Sequence, residues 1–143
     1  MEITAADIKP FGIDERDIAT VRGCLEYAAG LLPQEETILA FFISRQGGYP
    51  DDLFFFTRSY MIRFPEFQKA ISRGARECSF NSLTYSVIGL KLEAQEKTDF
   101  LPKSLTVEIA MKDTEDIRIH ASGTTAGRLE QIVRESLIPH LRR

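Results

Sequence analysis

The chain has 143 residues, of which 43% are hydrophobic and 27% charged, enough for one globular domain with a buried core and no disulfide or metal to hold it. This composition excludes a disordered chain, a collagen-like fibre and a disulfide-rich mini-protein. The 18 Lys and Arg residues against 21 Asp and Glu residues give a formal net charge of −3, which argues against a general nucleic-acid binder because such a protein must neutralise phosphates.

The first 31 residues predict an arm followed by a helix. Residues 1–13 are expected to be extended, because Pro10 and Gly12 interrupt a helix. Asp14 is a candidate N-cap, and apolar residues at helical spacing predict a helix from Glu15 to Leu31. These apolar residues are Ile18, Val21, Leu25, Ala28 and Leu32.

Seven strands are predicted after this helix, separated by turns and loops. They span residues 37–44, 53–57, 60–64, 77–86, 87–94, 105–111 and 117–122, and the alternation of apolar and polar residues is clearest in the last two. Residues 65–76 are expected to form a long loop with one helical turn. A final amphipathic helix follows Gly123 and ends or kinks before Pro139.

The order of these elements indicates the fold class. No strand–helix–strand alternation occurs, so a parallel sheet is not expected and short connections favour antiparallel pairing. The last helix needs a surface on which to bury its apolar face. A mainly β, α+β fold with this helix closing one end of a bent sheet or partial barrel meets that need.

Three segments resemble bacterial pleckstrin-homology-like (PH-like) domains. Residues 32–39, Leu-Pro-Gln-Glu-Glu-Thr-Ile-Leu, resemble the segment that leads into the first strand of that family. Residues 55–64 are similar to a hairpin of these domains, and residues 78–87 to the strand that follows it. The resemblance covers residues 32–141 and implies a barrel of about seven antiparallel strands with a C-terminal capping helix. Residues 1–31 would then be an additional arm and helix, and residues 32–143 the PH-like domain.

One segment of the chain is clearly basic. Between residues 57 and 78 five basic residues stand against Glu66 and Glu77, and guanidinium groups match the geometry of phosphate. The segment is a candidate site for an anion or an acidic partner, although charged runs more often face water. Its basic residues are Arg58, Arg63, Lys69, Arg73 and Arg76.

The apolar run Leu53, Phe54, Phe55 and Phe56 does not alternate as a strand with one wet face would. Either another element of the chain, such as the first helix, covers the second face, or Phe54, Phe55 and Phe56 form an interface with a second subunit. Both alternatives remain open from the sequence.

No catalytic or metal-binding pattern is present in the sequence. His120 and His140 lack metal-ligand spacing, and Cys24 and Cys78 are expected to be reduced packing residues without a disulfide. We therefore expect no enzymatic activity, no cofactor and no metal. The absence of a basic-then-apolar N-terminal pattern and of long apolar runs predicts a cytoplasmic protein that does not enter a membrane.

Three functions are compatible with these features. The first is a non-enzymatic binding or scaffold domain that acts through protein–protein contacts, including self-association. The second is a cone-type α+β protein or enzyme that binds a small ligand in an apolar pocket lined by Phe and Tyr. The third is a domain that binds anionic lipid or phosphate through residues 58–76, for which the acidic charge of the chain is unfavourable.

Overall fold

The computed structural model describes residues 1–45, 51–68 and 77–141. The fold is α+β and mainly antiparallel β, with a C-terminal helix, as the sequence predicts, and its seven described strands form two sheets. Among the described strands no pairing joins the two sheets into a closed barrel. The chain divides into two compact units, Met1–Phe80 and Asn81–Arg143.

The first unit begins with helical turns, so the prediction of an extended arm was wrong. Helix α1 spans Ala5–Ile8, and a 3₁₀ turn spans Lys9–Phe11. Asp7 Oδ2 accepts hydrogen bonds from the backbone N and Oγ1 of Thr4 at 2.8 and 2.9 Å. Pro10 does not interrupt this structure because it lies in the first positions of the 3₁₀ turn, where a backbone N–H has no helical partner.

The predicted helix over residues 15–31 is confirmed. A 3₁₀ turn over Glu15–Asp17 leads into α2, Ile18–Leu31. Asp14 caps the 3₁₀ turn, since Asp14 Oδ1 accepts a hydrogen bond from the backbone N of Arg16 at 2.9 Å. Val21, Cys24 and Ala28 form the buried stripe of α2.

Four strands form the first sheet in the order β1-β2-β3-β4. They span Ala40–Ser44, Asp52–Phe56, Tyr60–Phe64 and Ser79–Ser82. The predicted strand over residues 77–86 stops early, because residues 83–86 form a helical turn, α3 (Leu83–Ser86). Leu83 is fully buried and Tyr85 is 78% exposed. A strand would place both on one face, whereas a helical turn separates them. Within the predicted loop over residues 65–76, a helical segment includes Phe67 and Gln68, and residues 69–76 lie outside the described residues.

The second unit contains the other sheet, in the order β5-β6-β7. Its strands span Val87–Gln95, Ser104–Met111 and Ile117–Ser122. As predicted, apolar residues alternate along β6 and β7 and are buried on one face of the sheet. They are Leu105, Val107, Ile109, Met111, Ile117, Ile119 and Ala121.

The C-terminal helix continues past Pro139, which the sequence predicted to end or kink it. A 3₁₀ turn at Gly123–Thr125 is followed by α4 (Ala126–Ile132), a π-helical turn (Val133–Leu137) and α5 (Ile138–Leu141). Proline cannot donate to the carbonyl four residues earlier and its ring crowds that carbonyl. The wider π turn lies where this bond would be missing. Helix α4 packs on β6 and β7, and α5 contacts β5.

Candidate functional site

The three consecutive phenylalanines of β2 are completely buried within the chain. Phe54, Phe55 and Phe56 each have 0% of their surface exposed, so they offer no surface to a second subunit. Of the two alternatives from the sequence, burial inside the chain is the one observed.

β2 lies between β1 and β3, which pair with both of its edges, and most of its neighbours on those strands are aromatic or aliphatic. Phe55 lies opposite Phe41 and Ile62, and its ring meets that of Phe64 edge to face at 5.9 Å. The ring of Phe54 stacks on that of Phe56, with the centroids 6.3 Å apart. These contacts make the phenylalanine run a core of the first unit.

Only two residues of the predicted basic site belong to the described part of the chain. Arg58 is exposed in the turn between β2 and β3. Arg63 is engaged by Asp52, with Nη2 2.7 Å and Nε 3.2 Å from Oδ2. The carboxylate offsets the charge that would attract an anion at Arg63. Lys69, Arg73 and Arg76 lie outside the described residues.

Asp52 also fixes the backbone beside this ion pair. Its Oδ1 accepts a hydrogen bond from the backbone N of Glu66 at 3.0 Å, and Glu66 has a left-handed φ of 47°. The Asp52–Arg63 pair therefore joins β2, β3 and the segment after β3. This arrangement explains Arg63 as a structural residue of the first unit.

The two histidines each pair with a threonine inside the second unit. His120 Nδ1 is 2.8 Å from Thr106 Oγ1 across β6 and β7, and His140 Nδ1 is 3.2 Å from Thr84 Oγ1. No disulfide joins Cys24 and Cys78. Within residues 1–45, 51–68 and 77–141, no three His, Cys, Asp or Glu side chains are grouped so that they could bind a metal ion.

A groove in the first unit bears on the small-ligand alternative. It has a volume of about 520 Å³, and no aromatic side chain of the described residues contributes to its lining. The lining residues are Ala5, Ala6, Lys9, Ile13, Asp14 and Glu15. Four of the phenylalanines that the sequence offered as a pocket lining, Phe54, Phe55, Phe56 and Phe64, are instead packed in two pairs in the core.

The exposed apolar surface of the second unit follows β5 and the connection after it. β5 lies at one edge of its sheet, and residues 91–102 are all exposed. Leu92 lies opposite Val107 of β6 on the apolar face of the sheet. Val107 is completely buried, whereas Leu92 is 47% exposed. The apolar face therefore extends beyond the part that the described helices bury.

The connection between β5 and β6 carries Phe100, which at 94% is the most exposed large apolar side chain among the described residues. Thr98 closes the turn: its backbone N donates to the carbonyl of Leu101 at 2.9 Å, and its Oγ1 accepts from the backbone N of Leu101 at 3.1 Å. Phe100 and Leu101 are thus presented on a hydrogen-bonded turn. We call Leu92, Ala94, Phe100 and Leu101 the β5 edge patch.

The β5 edge patch was not predicted from the sequence, although one signal for it exists. Phe100 and Leu101 stand in an otherwise polar loop, where a large apolar residue has no core to join. Leu92 gives no such signal, because residues 90–94, Leu-Lys-Leu-Glu-Ala, alternate as β6 does and Leu92 therefore resembles a core residue.

No helix in the described part of the chain is both long and apolar enough to cross a membrane. Comparison with known proteins gave no match to a family model, a curated protein or a solved structure.

Proposed function

We propose that the chain is a non-enzymatic binding domain of PH-like type that acts through protein–protein contacts, with β5 and the β5 edge patch as its docking surface. The observation that carries the proposal is the exposure of Leu92, on an edge strand, and of Phe100, in the connection that follows it, at 47% and 94%. Contiguous exposed apolar surface on a globular protein marks interaction sites.

The backbone of β5 adds to this surface. An edge strand presents unpaired N–H and C=O groups that can pair with another strand, a frequent mode of peptide and protein recognition. Apolar side chains beside such an edge are buried when the partner binds, and this burial stabilises the complex in addition to the backbone hydrogen bonds. β5 combines both features over residues 91–95.

The PH-like assignment has support in the order of elements. Seven antiparallel strands followed by a C-terminal helix stand in the order that the resemblance of residues 32–141 implies. A fold of this kind does not specify its ligand, so the protein-binding function depends on the patch and not on the fold. The alternative of anion binding has less support, because Asp52 already engages Arg63.

The proposal can be tested by photocrosslinking in the cells that produce the protein. A benzoylphenylalanine at position 100 lies in the patch. The same residue at position 112, in the exposed turn between β6 and β7, is a matched control in the same unit. We expect position 100, and not position 112, to give covalent adducts with proteins identified by mass spectrometry.

A second variant connects the adducts to β5. Leu92→Lys places a charge on the apolar face of the strand and should reduce the adducts formed from position 100. Equal adducts from positions 100 and 112, or none from either, would contradict the proposed docking surface.

A further inference from the structure

β5 has the form of a strand that can accept another. It is nine residues long, contains no proline, and its register with β6 is regular from Gly89 to Gln95, with one irregularity near Ile88. Edge strands that avoid pairing are short, bulged, interrupted by proline or charged, above all with lysine. From Gly89 to Gln95, β5 is neither short, bulged nor interrupted by proline, and its charges are Lys91 and Glu93.

Charges alternate across the polar face of the three-stranded sheet and end at β5. Arg118 of β7 lies opposite Glu108 of β6, and Glu108 lies opposite Lys91 of β5. Opposite charges on neighbouring strands stabilise a sheet, and like charges destabilise it. A further strand beside β5 would continue the pattern by placing a carboxylate opposite Lys91.

β5 itself carries that carboxylate. Glu93 lies two residues from Lys91 and therefore on the same face of the strand. If two copies of β5 run antiparallel about a two-fold axis at Leu92, Lys91 of each copy lies opposite Glu93 of the other. Leu90 then lies opposite Ala94, and Leu92 opposite Leu92.

The same register continues the apolar face. Ile119, Val107 and Leu92 form a row across β7, β6 and β5. In the symmetric pair the two rows meet at Leu92, so each half-exposed Leu92 covers the other. This gives the exposed apolar side chain a partner of matching chemistry.

The two neighbouring positions of the two-fold axis along β5 are disfavoured by repulsion between like charges on the polar face. An axis at Lys91 would place lysine opposite lysine, and an axis at Glu93 would place glutamate opposite glutamate. Like charges directly opposite each other are destabilising. The sequence of β5 therefore favours the axis at Leu92 over both of these positions, which is how charge gives specificity to a strand interface.

We infer that the partner of this docking surface is a second copy of the chain, bound by antiparallel pairing of β5 with β5 about Leu92. The inference rests on the proposed protein-binding function and names its partner. The resulting dimer has a continuous six-stranded sheet in the order β7-β6-β5-β5-β6-β7. Two Lys91–Glu93 pairs and the contact between the two Leu92 side chains lie at its centre.

Charge reversal in the full chain tests this pairing. Molar mass is measured by sedimentation equilibrium from micromolar to millimolar chain. Lys91→Glu places two carboxylates opposite each other at each pair, and Glu93→Lys places two ammonium groups there. Because each substitution acts twice in the symmetric dimer, we expect each variant alone to weaken association by about tenfold or more.

The decisive experiment is to mix the Lys91→Glu and Glu93→Lys variants. In the mixed dimer each reversed charge faces one of opposite sign, so association should return although neither variant dimerises well alone. Lys112→Glu and Glu115→Lys make the same charge changes in the exposed β6–β7 turn and should leave association unchanged. The unfolding free energy of every variant is measured to show that the chains are folded.

Two outcomes would overturn the inference. A wild-type chain that stays monomeric at all concentrations excludes self-pairing. A dimer that neither Lys91→Glu nor Glu93→Lys weakens has its interface elsewhere. The proposed function fails separately, through the absence of position-specific adducts from position 100. Adducts exclusively with other proteins would support that function and overturn self-pairing.

Discussion

Leu92 on β5 lies directly opposite Val107 on β6, yet Leu92 is 47% exposed and Val107 is completely buried. The two residues belong to one apolar face, over which α4 packs on β6 and β7 while α5 contacts β5. His140 of α5 is hydrogen-bonded to Thr84 of α3, the helical turn that immediately precedes β5. Residues 91–95, at the other end of β5, are exposed. The position of the C-terminal helix thus creates the surface that we propose for binding.

This difference in burial predicts that truncation to alanine lowers the unfolding free energy less at Leu92 than at Val107. Leu92→Ala should lower the unfolding free energy by less than about 1 kcal/mol, because much of the side chain is already in water. Val107→Ala should cost about 2 kcal/mol or more, because it leaves a cavity in a packed core. Urea unfolding at a chain concentration too low for association measures both. Equal losses would contradict the observed difference in burial.

Thr57 predicts a hydrogen-bonding requirement in the β2–β3 turn. Its side chain is completely buried, and its Oγ1 accepts hydrogen bonds from the backbone N of Ser59 and of Tyr60 at 3.1 and 2.9 Å. Thr57→Val removes the acceptor and should cost about 1–3 kcal/mol. Thr57→Ser keeps the oxygen and should cost less. Denaturant unfolding distinguishes the two variants, and an equal loss for both would assign the effect to packing instead of hydrogen bonding.

Gly12 predicts a backbone requirement beside Arg45. Its φ is +73°, and a Cβ there would lie 2.5 Å from Arg45 Nη1, which donates to the carbonyls of Phe11 and Gly12. Gly12→Ala should therefore destabilise the chain by about 1–2 kcal/mol. Gly127 is the control, since it lies in α4 and a Cβ added there would have no described neighbour within 4 Å. Gly127→Ala should be neutral or stabilising. Thermal unfolding of both variants tests the contrast, which would fail if Gly12→Ala were also neutral.

The ion pair between Lys103 and Glu130 predicts a pH dependence. Lys103 Nζ lies 2.8 Å from Glu130 Oε1, and this hydrogen bond, with the attraction of the charges, lowers the pKa of Glu130. A lowered folded-state pKa contributes stability above the ordinary carboxyl pKa, and that stability is lost as the pH falls through the folded-state pKa. Lys103→Met should return the pKa of Glu130 toward its ordinary value.

Carboxyl titration followed by NMR measures this shift directly. At neutral pH, Lys103→Met should also have a lower melting temperature than the wild type, and the difference should shrink as the pH falls below the ordinary carboxyl pKa. Added salt should reduce the difference as well, because the pair is partly exposed. A Glu130 pKa that does not respond to Lys103→Met would contradict the pairing.

Much of the fold could be predicted because local patterns determine it. The alternation in residues 105–111 and 117–122 predicts β6 and β7, and helical spacing predicts α2. The helical turns of the arm were missed because Pro10 and Gly12 usually break a helix. Both instead fit a short 3₁₀ turn, one at its start and the other just after its end.

The candidate site could be predicted less well because burial depends on tertiary packing. The run Phe54–Phe56 shows that both faces of β2 are apolar, but not that the chain itself covers both. Leu92 and Val107 occupy equivalent places in similar alternating sequences, and the reach of the C-terminal helix decides which one is exposed. Phe100 was the exception, since its polar surroundings in the sequence already indicated exposure.

The most direct test of the proposed β5 interface is backbone hydrogen exchange as a function of chain concentration, read by mass spectrometry on peptides that cover residues 90–95. β7, the other edge strand of the same sheet, is the internal control. We expect exchange over residues 90–95 to slow as the concentration rises, while exchange over residues 117–122 stays constant. The same exchange rate over residues 90–95 at every concentration would contradict pairing of β5 with a second copy.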